Sequence, residues 1–595
     1  MKTIITTICL IFLLSGSANS QNWYLAGETL IGQTLFGMQT ERSMPRLIAS
    51  NGTSLSACWT TMPSPGWSTQ RNIAYCNIVA GLGVVSDTNN LQPKITSNPN
   101  VESCNGWEYI LANSVDSGMF LSKRLVGNGA WTTVPVATYN LFPAQQDNWS
   151  RMAVGGINGQ TVHVIANSQG TDTIPVLNQN GPMTYSRSPD RGVTWDIDHL
   201  RMPDSDESFY LGFSRGNYAI DCRGDVVVIV AGGFNMELCL WKSIDNGNTW
   251  TKTIVFPFPV LLYDDKLMML DPDNDGVADT VETSGQDPTV ILDANGIAHV
   301  AFGRMRIYDG SISGKAVYDP LADGLYYWNE TMAAPAIVAI AEDLNGNGVI
   351  DIPQTVLPNT IPVGAYFSGL LMQPSLASDS IGDIFIVYSA VNEMTDTSIF
   401  QCIHKHIYII GSGNMGSTWT TPFNLVPMSD VGGDGEFQEA VFGAIPKRIE
   451  VIGNCFNMNI IYFRDGAPYF ALEGSPSAPG LNQEIWNEDA NGIPVAVDVI
   501  YAAIGCINGI GEHRINPFSI SPNPANNLIT VSGFGNDENA VSVSFFTPDG
   551  KVVKEKNFHQ SKTVRLDVSD LIPGIYIVRI TTEKQVQSVK LVRSY

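Results

Sequence analysis

The sequence predicts an all-β chain dominated by a β-propeller of six or seven blades. Helix signals are nearly absent, and Gly or Pro punctuates strand-like runs every 8 to 12 residues. One pattern also recurs along the chain: an apolar run, a small-residue turn with glycine, and a dense strand-like run. The turns of this pattern fall near residues 52, 106, 159, 224, 296, 382 and 457.

The spacing of these turns supports a propeller with loop insertions. Neighbouring turns are 53 to 86 residues apart, whereas a blade of four short strands needs about 40–50 residues. We therefore predict a closed ring over roughly residues 23–510, with seven blades slightly preferred to six. The segment after Trp23 is expected to complete the last blade, because closure leaves only short, protected strand edges.

An eight-residue motif follows several copies of the repeat. It has the form S-x-D-x-G-x-T-W at 188–195 and 243–250, and Asn replaces Asp at 412–419. The Ser and Asp side chains can accept backbone N–H groups, Gly permits a left-handed turn, and Trp fills the space between sheets. The motif resembles the Asp box of sialidase-type β-propellers, and we expect it to staple a hairpin rather than to contact a ligand.

Composition and charge exclude several classes of protein. With 44% hydrophobic and 15% charged residues the chain is too apolar for a disordered protein. It has 57 acidic against 33 basic residues, a net charge of −24, so nonspecific binding to nucleic acid or an anionic membrane is not expected.

The N-terminus has the features of a secretory signal peptide. Lys2 precedes a short apolar run at 8–14, and Ala18 and Ser20 supply the small residues of a cleavage site. Residues 1–20 are therefore predicted to be removed, with the mature protein starting near Gln21. No later run of about 18 uncharged apolar residues follows, so no transmembrane segment is predicted in the mature chain.

Export leaves two interpretations of the cysteines. Eight remain after the signal peptide is removed, and an oxidising compartment permits disulfides. Cys58 with Cys76, and Cys222 with Cys239, are close enough in sequence to join strands of one sheet. The alternative is buried thiols.

The first of two acidic loops fits a calcium-binding pattern in full. It is D-x-[DN]-x-[DN]-G-x5-E, within an insertion at about 264–285. Oxygens at its positions 1, 3, 5 and 12 would wrap a hard cation, and position 9 adds another. The predicted ligands are Asp271, Asp273, Asp275, Asp279 and Glu282.

The second acidic loop, at about 342–354, is a shorter relative. Its predicted ligands are Asp343, Asn345, Asn347 and Asp351. Gln354 stands at position 12, so the bidentate carboxylate is missing and the affinity should be lower. A structural Ca²⁺ is the cofactor predicted at both loops. The alternative is an acidic turn without an ion.

The composition changes at residue 515. Residues 516–595 hold 9 basic and 7 acidic residues, or +2, against −26 for the rest (24 minus 50). The segment begins with S-P-N-P at 521–524, continues with a strand-like run at 541–546, and includes L-x-V-S-x-L at 566–571 and P-G-I-Y at 573–576. It closely resembles the C-terminal sorting domain of the type IX secretion system of Bacteroidota.

That resemblance has three implications for residues 515–595. They should form a small immunoglobulin-like β-sandwich of about seven strands and interact with the type IX secretion machinery. The chain should cross the outer membrane and reach the outer cell surface or the medium. The propeller would then occupy residues 21–514.

No catalytic set can be assigned from the sequence. Sialidases on this fold use an arginine triad, a Tyr–Glu pair and an acid/base Asp; here Arg46 and Arg151 recur at equivalent repeat positions, and Arg304 or Arg306 could complete a cluster. We therefore expect binding or adhesion to a glycan or protein ligand. The alternative is a secreted glycoside hydrolase on the same propeller, and a purely structural surface protein stays open.

Overall fold

The computed structural model describes most of the chain in two compact units. The units are divided between Gly509 and Ile510. The predicted signal peptide lies outside the described residues. These are 23–40, 42–62, 71–79, 83–88, 91–92, 95–114, 117–136, 146–169, 179, 181–309, 316–352, 366–393, 403–426, 439–452, 455–465, 487–488, 494–495, 497–506, 519–523, 525–532, 541–547, 551–558, 563–582 and 586–594.

Within those residues the first unit contains seven blades of antiparallel strands, each blade listed here from its innermost strand outward. Blade I is β2 (Ile48–Ser50), β3 (Ser54–Thr61), β4 (Asn72–Val79) and β5 (Gly83–Thr88). Blade II is β6 (Thr96–Cys104), β7 (Trp107–Ser114), β8 (Gly118–Leu125) and β9 (Asn128–Pro135). Blade III is β10 (Gln146–Gly155), β11 (Thr161–Gln169), β12 (Met183–Ser188) and β13 (Ile197–Arg201). Blade IV is β14 (Tyr218–Arg223), β15 (Val226–Gly232), β16 (Leu238–Ser243) and β17 (Thr251–Phe256).

Blade V carries two extra strands, and blade VI is regular. Blade V is β19 (Thr289–Leu292), β20 (Ala298–Asp309), β22 (Leu325–Asn329) and β23 (Ala336–Ala339), with β18 (Thr280–Ser284) and β21 (Ala316–Tyr318) paired to the long β20. Blade VI is β24 (Leu371–Ser378), β25 (Ile384–Val391), β26 (Lys405–Ser412) and β27 (Phe423–Asn424). The innermost strands of successive blades lie side by side around the axis of the ring.

Blade VII is built from both ends of the unit. Its strands are β28 (Glu439–Ala444), β30 (Cys455–Asp465), β33 (Val497–Cys506) and, outermost, β1 (Trp23–Thr34). β29 (Glu450–Ile452) pairs with β30, and β31 (Asn487–Glu488) with β32 (Pro494–Val495). The register of β1 on β33 runs from Trp23 opposite Cys506 to Thr34 opposite Val497. The predicted closure by the N-terminal segment is therefore confirmed, and it gives seven blades rather than six.

A half-buried arginine spans the axis of the ring. Arg46, just before β2, donates to the carbonyl oxygens of Val290 in blade V at 2.9 Å and Leu376 in blade VI at 3.3 Å. Blade I is thus tied directly to blades on the other side of the axis. Arg46 has a structural role here, since its guanidinium is taken up by backbone carbonyls.

An ionic cluster fills the axis next to Arg46. Lys447 of blade VII lies 2.9 Å from Glu102 of blade II and 3.1 Å from Asp221 of blade IV, and Arg448 lies 2.9 Å from Asp221. Burial alone would raise the pKa of Asp221, but Arg448, Lys447 and Arg46 outweigh it and hold that pKa below its usual range. We call Arg46, Glu102, Asp221, Lys447 and Arg448 the axial cluster.

The three eight-residue motifs all form the same turn between the third and fourth strands of a blade. At 243–250, the N–H of Gly247 donates to Ser243 Oγ at 2.8 Å, and the N–H of Thr249 donates to Asp245 Oδ1 at 2.9 Å. The turns at 188–195 and 412–419 repeat both bonds. Side-chain oxygens therefore satisfy the turn's backbone donors, as the residue types predict.

Each turn also packs against the preceding blade. In blade VI, Trp419 makes a T-shaped contact with Tyr327 of blade V, with ring centroids 4.9 Å apart. Gly416 has φ +82°, and a Cβ on it would lie 2.1 Å from the Tyr327 ring. Glycine is required here both by the backbone angle and by the tyrosine of the neighbouring blade.

The register excludes both candidate disulfides. Cys58 on β3 is opposite Tyr75 on β4, whereas Cys76 is the next residue along β4 and faces the other side of the blade. Cys222 and Cys239 lie on β14 and β16, with β15 between them. These side chains are buried thiols, which is the alternative that the sequence left open.

The second unit consists of two antiparallel sheets. One is β34 (Ser519–Ser521), β35 (Leu528–Ser532) and β38 (Thr563–Asp567); the other has the order β37 (Val552–Phe558), β36 (Val541–Phe546), β39 (Gly574–Thr582), β40 (Val586–Arg593). Apolar residues of both sheets share one core. The immunoglobulin-like topology stays a prediction.

Replacing Gly416 by alanine tests the contact between blades. We expect Gly416→Ala to lower the free energy of unfolding by roughly 2–5 kcal/mol, because the left-handed angle costs about 1–2 kcal/mol and overpacking about 1–3. Gly382, with φ +101° and open space around its Cβ position, is the control; Gly382→Ala should cost only the angle. Equal losses in chemical denaturation would show that Tyr327 does not constrain the turn.

Candidate functional site: the upper face of the propeller and two acidic loops

The upper face of the ring, where the chain enters each innermost strand, has a repeated irregularity. In blades II, III, VI and VII one extra residue bulges out of the innermost strand. A non-glycine residue with positive φ lies at each bulge, namely Asn98, Trp149, Gln373 and Phe442. A bulge of this kind changes the direction of a side chain, so the rim of the ring is shaped by four separate blades.

Two arginine–aromatic stacks lie at this face. The guanidinium of Arg215 is 4.7 Å from the ring centroid of Trp149, and that of Arg42 is 4.9 Å from the centroid of Phe367. Arg215 and Phe367 are exposed, and Trp149 and Arg42 are half-buried. Both stacks therefore present aromatic and cationic groups to solvent.

The segment before β2 connects the residues that carry the two arginines. The N–H of Ser43 donates to the carbonyl of Gly216 at 3.0 Å, so the backbone that follows Arg42 lies beside the backbone that follows Arg215. The buried Arg151 donates to the carbonyl of Ser43 at 2.6 Å. Arg151 is thus a positioning residue whose guanidinium is occupied by backbone and hydroxyl oxygens.

Two carboxylates near the same face are buried rather than exposed. Asp287 accepts the N–H of Gly303 at 3.0 Å and of Gln373 at 2.6 Å. Burial raises its pKa, although these bonds and the charge of Arg42 act in the opposite direction. Asp287 therefore ties blade V to blade VI.

Glu439 is the second buried carboxylate. It accepts the hydroxyl of Tyr366 at 2.5 Å and the backbone N–H of Lys405 at 2.5 Å. Burial lowers the pKa of Lys405 to about 8, and Glu439 and Asp287 oppose that shift. These groups form a buried polar cluster beneath the upper face.

The arginines considered from the sequence do not converge. Arg304 is ion-paired with Glu282, and Arg306 lies 2.5 Å from Asp319. Arg46 is in the axial cluster and Arg151 holds Ser43. A triad built on these four residues is therefore excluded in this structure, because each guanidinium already has a separate partner.

The first acidic loop brings three of its five predicted ligands together. Carboxylate oxygens of Asp271, Asp273 and Asp275 lie within 4.8 Å of one another. Desolvation and the charges of Asp273, Asp275 and Asp271 raise the pKa of Asp279, so its carboxylate is within electrostatic range of theirs. Glu282 instead lies on β18, where it pairs with Arg304.

The second acidic loop folds around its own polar side chains. Asp343 accepts the N–H groups of Gly346 at 2.7 Å and Gly348 at 2.6 Å. The amide groups of Asn345 and Asn347 both donate to Asp351, at 2.8 and 2.7 Å. All four predicted residues are therefore in one turn.

The sequence missed the residue that anchors this second loop. Glu393, just after β25 of blade VI, accepts the N–H of Leu344 at 2.6 Å, of Asn345 at 3.3 Å and of Asp351 at 2.9 Å. Its carboxylate comes from 39 residues beyond Gln354 in sequence, so no local pattern could indicate it. The stacks of Trp149 and Phe367 were missed for the same reason, because their arginines come from other blades.

Comparison with known proteins identifies the second unit. Residues 519–594 match the family described as "Secretion system C-terminal sorting domain". The chain therefore carries a type IX sorting domain, is exported, and reaches the outer membrane or cell surface through the secretion machinery. No protein with a curated description matches the chain.

Several solved structures resemble the chain at low identity. The phage phi92 endosialidase is 9% identical, with 96% of this chain and 88% of that one covered and a TM-score of 0.33. Trypanosoma rangeli sialidase in complex with sialic acid is 8% identical, with 91% and 88% covered and a TM-score of 0.33. Penicillium chrysogenum α-L-arabinanase is 11% identical, with 68% and 92% covered and a TM-score of 0.31.

The described residues contain no helix long and apolar enough to cross a membrane.

Removing the Glu393 carboxylate tests its role in the second loop. Each hydrogen bond to a charged acceptor contributes about 1.5–3 kcal/mol, so Glu393→Ala should accelerate amide hydrogen exchange at Leu344 and Asp351 by about tenfold or more. Exchange in the first loop, at Asp275 and Gly276, is the internal control and should not change. Unchanged exchange at Leu344 would contradict the anchoring role.

Proposed function

We propose that the propeller of this exported protein binds an acidic glycan at its upper face. The observation that carries the proposal is the pair of arginine–aromatic stacks, Arg215 on Trp149 and Arg42 on Phe367. Aromatic faces pack against the apolar faces of sugar rings, and guanidinium groups pair with carboxylates. The pair provides both kinds of contact on one surface.

The charge distribution supports an anionic rather than a neutral ligand. The chain has a net charge of −24, yet at this face the carboxylates of Asp287 and Glu439 are buried while Arg215 is exposed. At the stacks themselves an acidic sugar would therefore be paired by guanidinium groups, in spite of the overall negative charge.

A glycoside hydrolase is the second candidate, and one observation favours it. The hydroxyl of Tyr366 donates to Glu439. The negative charges of Glu439 and Asp287 both raise the pKa of Lys405, against the effect of burial. A glycoside hydrolase uses two neighbouring carboxyl groups as acid and nucleophile, and Glu439 and Asp287 are the candidates for these roles. Binding is preferred because these groups are buried and already hydrogen-bonded, whereas the stacks are exposed.

We also propose that both acidic loops hold structural Ca²⁺. In the first loop, Asp271, Asp273 and Asp275 converge, and their mutual repulsion would be relieved by a cation. Asp279 lies beside them, and Glu282 could join only by leaving Arg304. In the second loop Asp343, Asn345, Asn347 and Asp351 supply the oxygens, and Glu393 adds a carboxylate from blade VI.

Glycan binding is tested with the secreted protein on arrays of acidic and neutral oligosaccharides. Trp149→Ala should weaken binding about tenfold, equivalent to ~1.4 kcal/mol, because it removes the stacking surface. Trp107→Ala is the matched control: Trp107 is also half-buried and stacked by an arginine, Arg191, but it is the first residue of β7, at the opposite face. Binding should also weaken as salt is raised.

The same incubation separates the two candidate functions. Retention without release of sugar supports binding, whereas release that Tyr366→Phe abolishes would establish hydrolysis instead. Equal loss of affinity in Trp149→Ala and Trp107→Ala, or retention of no glycan at all, would refute a site at the upper face.

Calcium binding is tested by chelation. Removing Ca²⁺ should lower the melting temperature, since a ligand at 100 times its Kd stabilises the folded state by about 2.7 kcal/mol. Asp273→Asn should reduce the gain on adding Ca²⁺ back, and Asp265→Asn, in the same insertion but outside the converging group, should not. A melting temperature indifferent to chelator would rule out structural calcium.

A further inference from the structure

The four-stranded sheet of the sorting domain has an unusual outer face. In a two-sheet domain the face turned to the core is apolar and the other is normally polar. The inner face follows this rule, with Val543, Phe545, Tyr576, Val578 and Leu591 in the core. The outer face does not follow it, because it carries apolar side chains.

Strand register assembles apolar residues in rows on that outer face. Phe546 is directly opposite both Val552 on β37 and Ile577 on β39, and Ile575 is opposite Val592 on β40. Directly paired residues point to the same side of a sheet, and so do residues two apart on one strand. We call Phe546, Val552, Ile575, Ile577 and Val592 the outer patch.

Val552, Ile575 and Ile577 of the outer patch are exposed, whereas Phe546 and Val592 are half-buried. Ile575 is 47% and Ile577 40% exposed. Among the described residues of the second unit, six large apolar side chains are exposed, and four of them lie on β37 and β39. A contiguous apolar surface on so small a domain is typical of a protein interface.

A cation borders the patch. The guanidinium of Arg579 lies 4.8 Å from the ring centroid of Phe546, and Arg579 is two residues beyond Ile577 on the same face. Arginine and aromatic side chains are both enriched in protein interfaces relative to the rest of a protein surface. A partner that fits this surface would offer an apolar patch with a carboxylate opposite Arg579.

We infer that the outer patch is the surface through which the type IX secretion machinery recognises this sorting domain. The domain is identified as a sorting signal by its family match, so a protein of that machinery is the partner it must contact. The match does not distinguish one face of the domain from another; exposure and register select the outer face of the four-stranded sheet.

The test expresses the full chain in a bacterium with a type IX system and measures how it divides between periplasm and exterior. Lysine at both positions, Ile575→Lys with Ile577→Lys, should reduce the exported fraction about tenfold or more, because a charge is placed in an apolar contact. Leu528→Lys is the matched control: Leu528 is 59% exposed but lies on β35 of the other sheet. The conservative double variant, Ile575→Val with Ile577→Val, keeps the patch apolar and should be exported like the wild-type protein.

Each outcome decides for or against the outer patch. The double-lysine variant that stays in the periplasm must resist protease as well as the wild-type protein does, which shows that the domain still folds. Loss of this resistance would assign the export defect to misfolding and overturn the proposal. Normal export of the lysine pair would also overturn it, as would equal retention of Leu528→Lys. Normal export followed by loss of surface attachment would assign the patch to anchoring instead.

Discussion

The closure of the ring is the constraint on which the rest of the first unit depends. β1 pairs with β33 over its whole length, so the last blade is complete only when the first strand of the unit has joined it. The chain then continues from β1 directly into the segment that carries Arg42 and Ser43. Because Ser43 is bound by Gly216 and Arg151, closing the ring also positions the arginine–aromatic stacks of the upper face.

The axial cluster complements closure from the inside. Buried charges are costly to desolvate, and they persist only where each is paired. Here Asp221 faces Lys447 and Arg448 while Glu102 faces Lys447, which joins blades II, IV and VII through one set of contacts. Loss of Lys447 would remove the cation that Glu102 and Asp221 share, so this lysine is the centre of the contacts that hold the blades around a common axis.

The two faces of the ring are built by different means. On the lower face, opposite the upper one, short turns with fixed Ser, Asp or Asn, Gly and Trp positions fasten blades III, IV and VI to the blade before them, as Gly416 does against Tyr327. On the upper face, bulges and long connections replace fixed turns, and they carry the exposed aromatic and cationic groups. The acidic insertion before β18 and the loop held by Glu393 are additions to this upper architecture. A rigid lower face thus permits variation above it without loss of the fold.

Local patterns were sufficient to predict the all-β class, the repeated blade, the motif turns and the sorting domain, because each depends on residues within a few positions of one another. The converging carboxylates of the first loop follow from the same short-range spacing. The tertiary structure decided the rest: Cys58 and Cys76 face opposite sides, Arg304 and Arg306 bind separate carboxylates, and Glu393 reaches a loop far from it in sequence. These outcomes depend on strand register and on which blades are neighbours. Neither is given by a local pattern, because register is fixed by the pairing of whole strands and the neighbours of a blade are fixed when the ring closes.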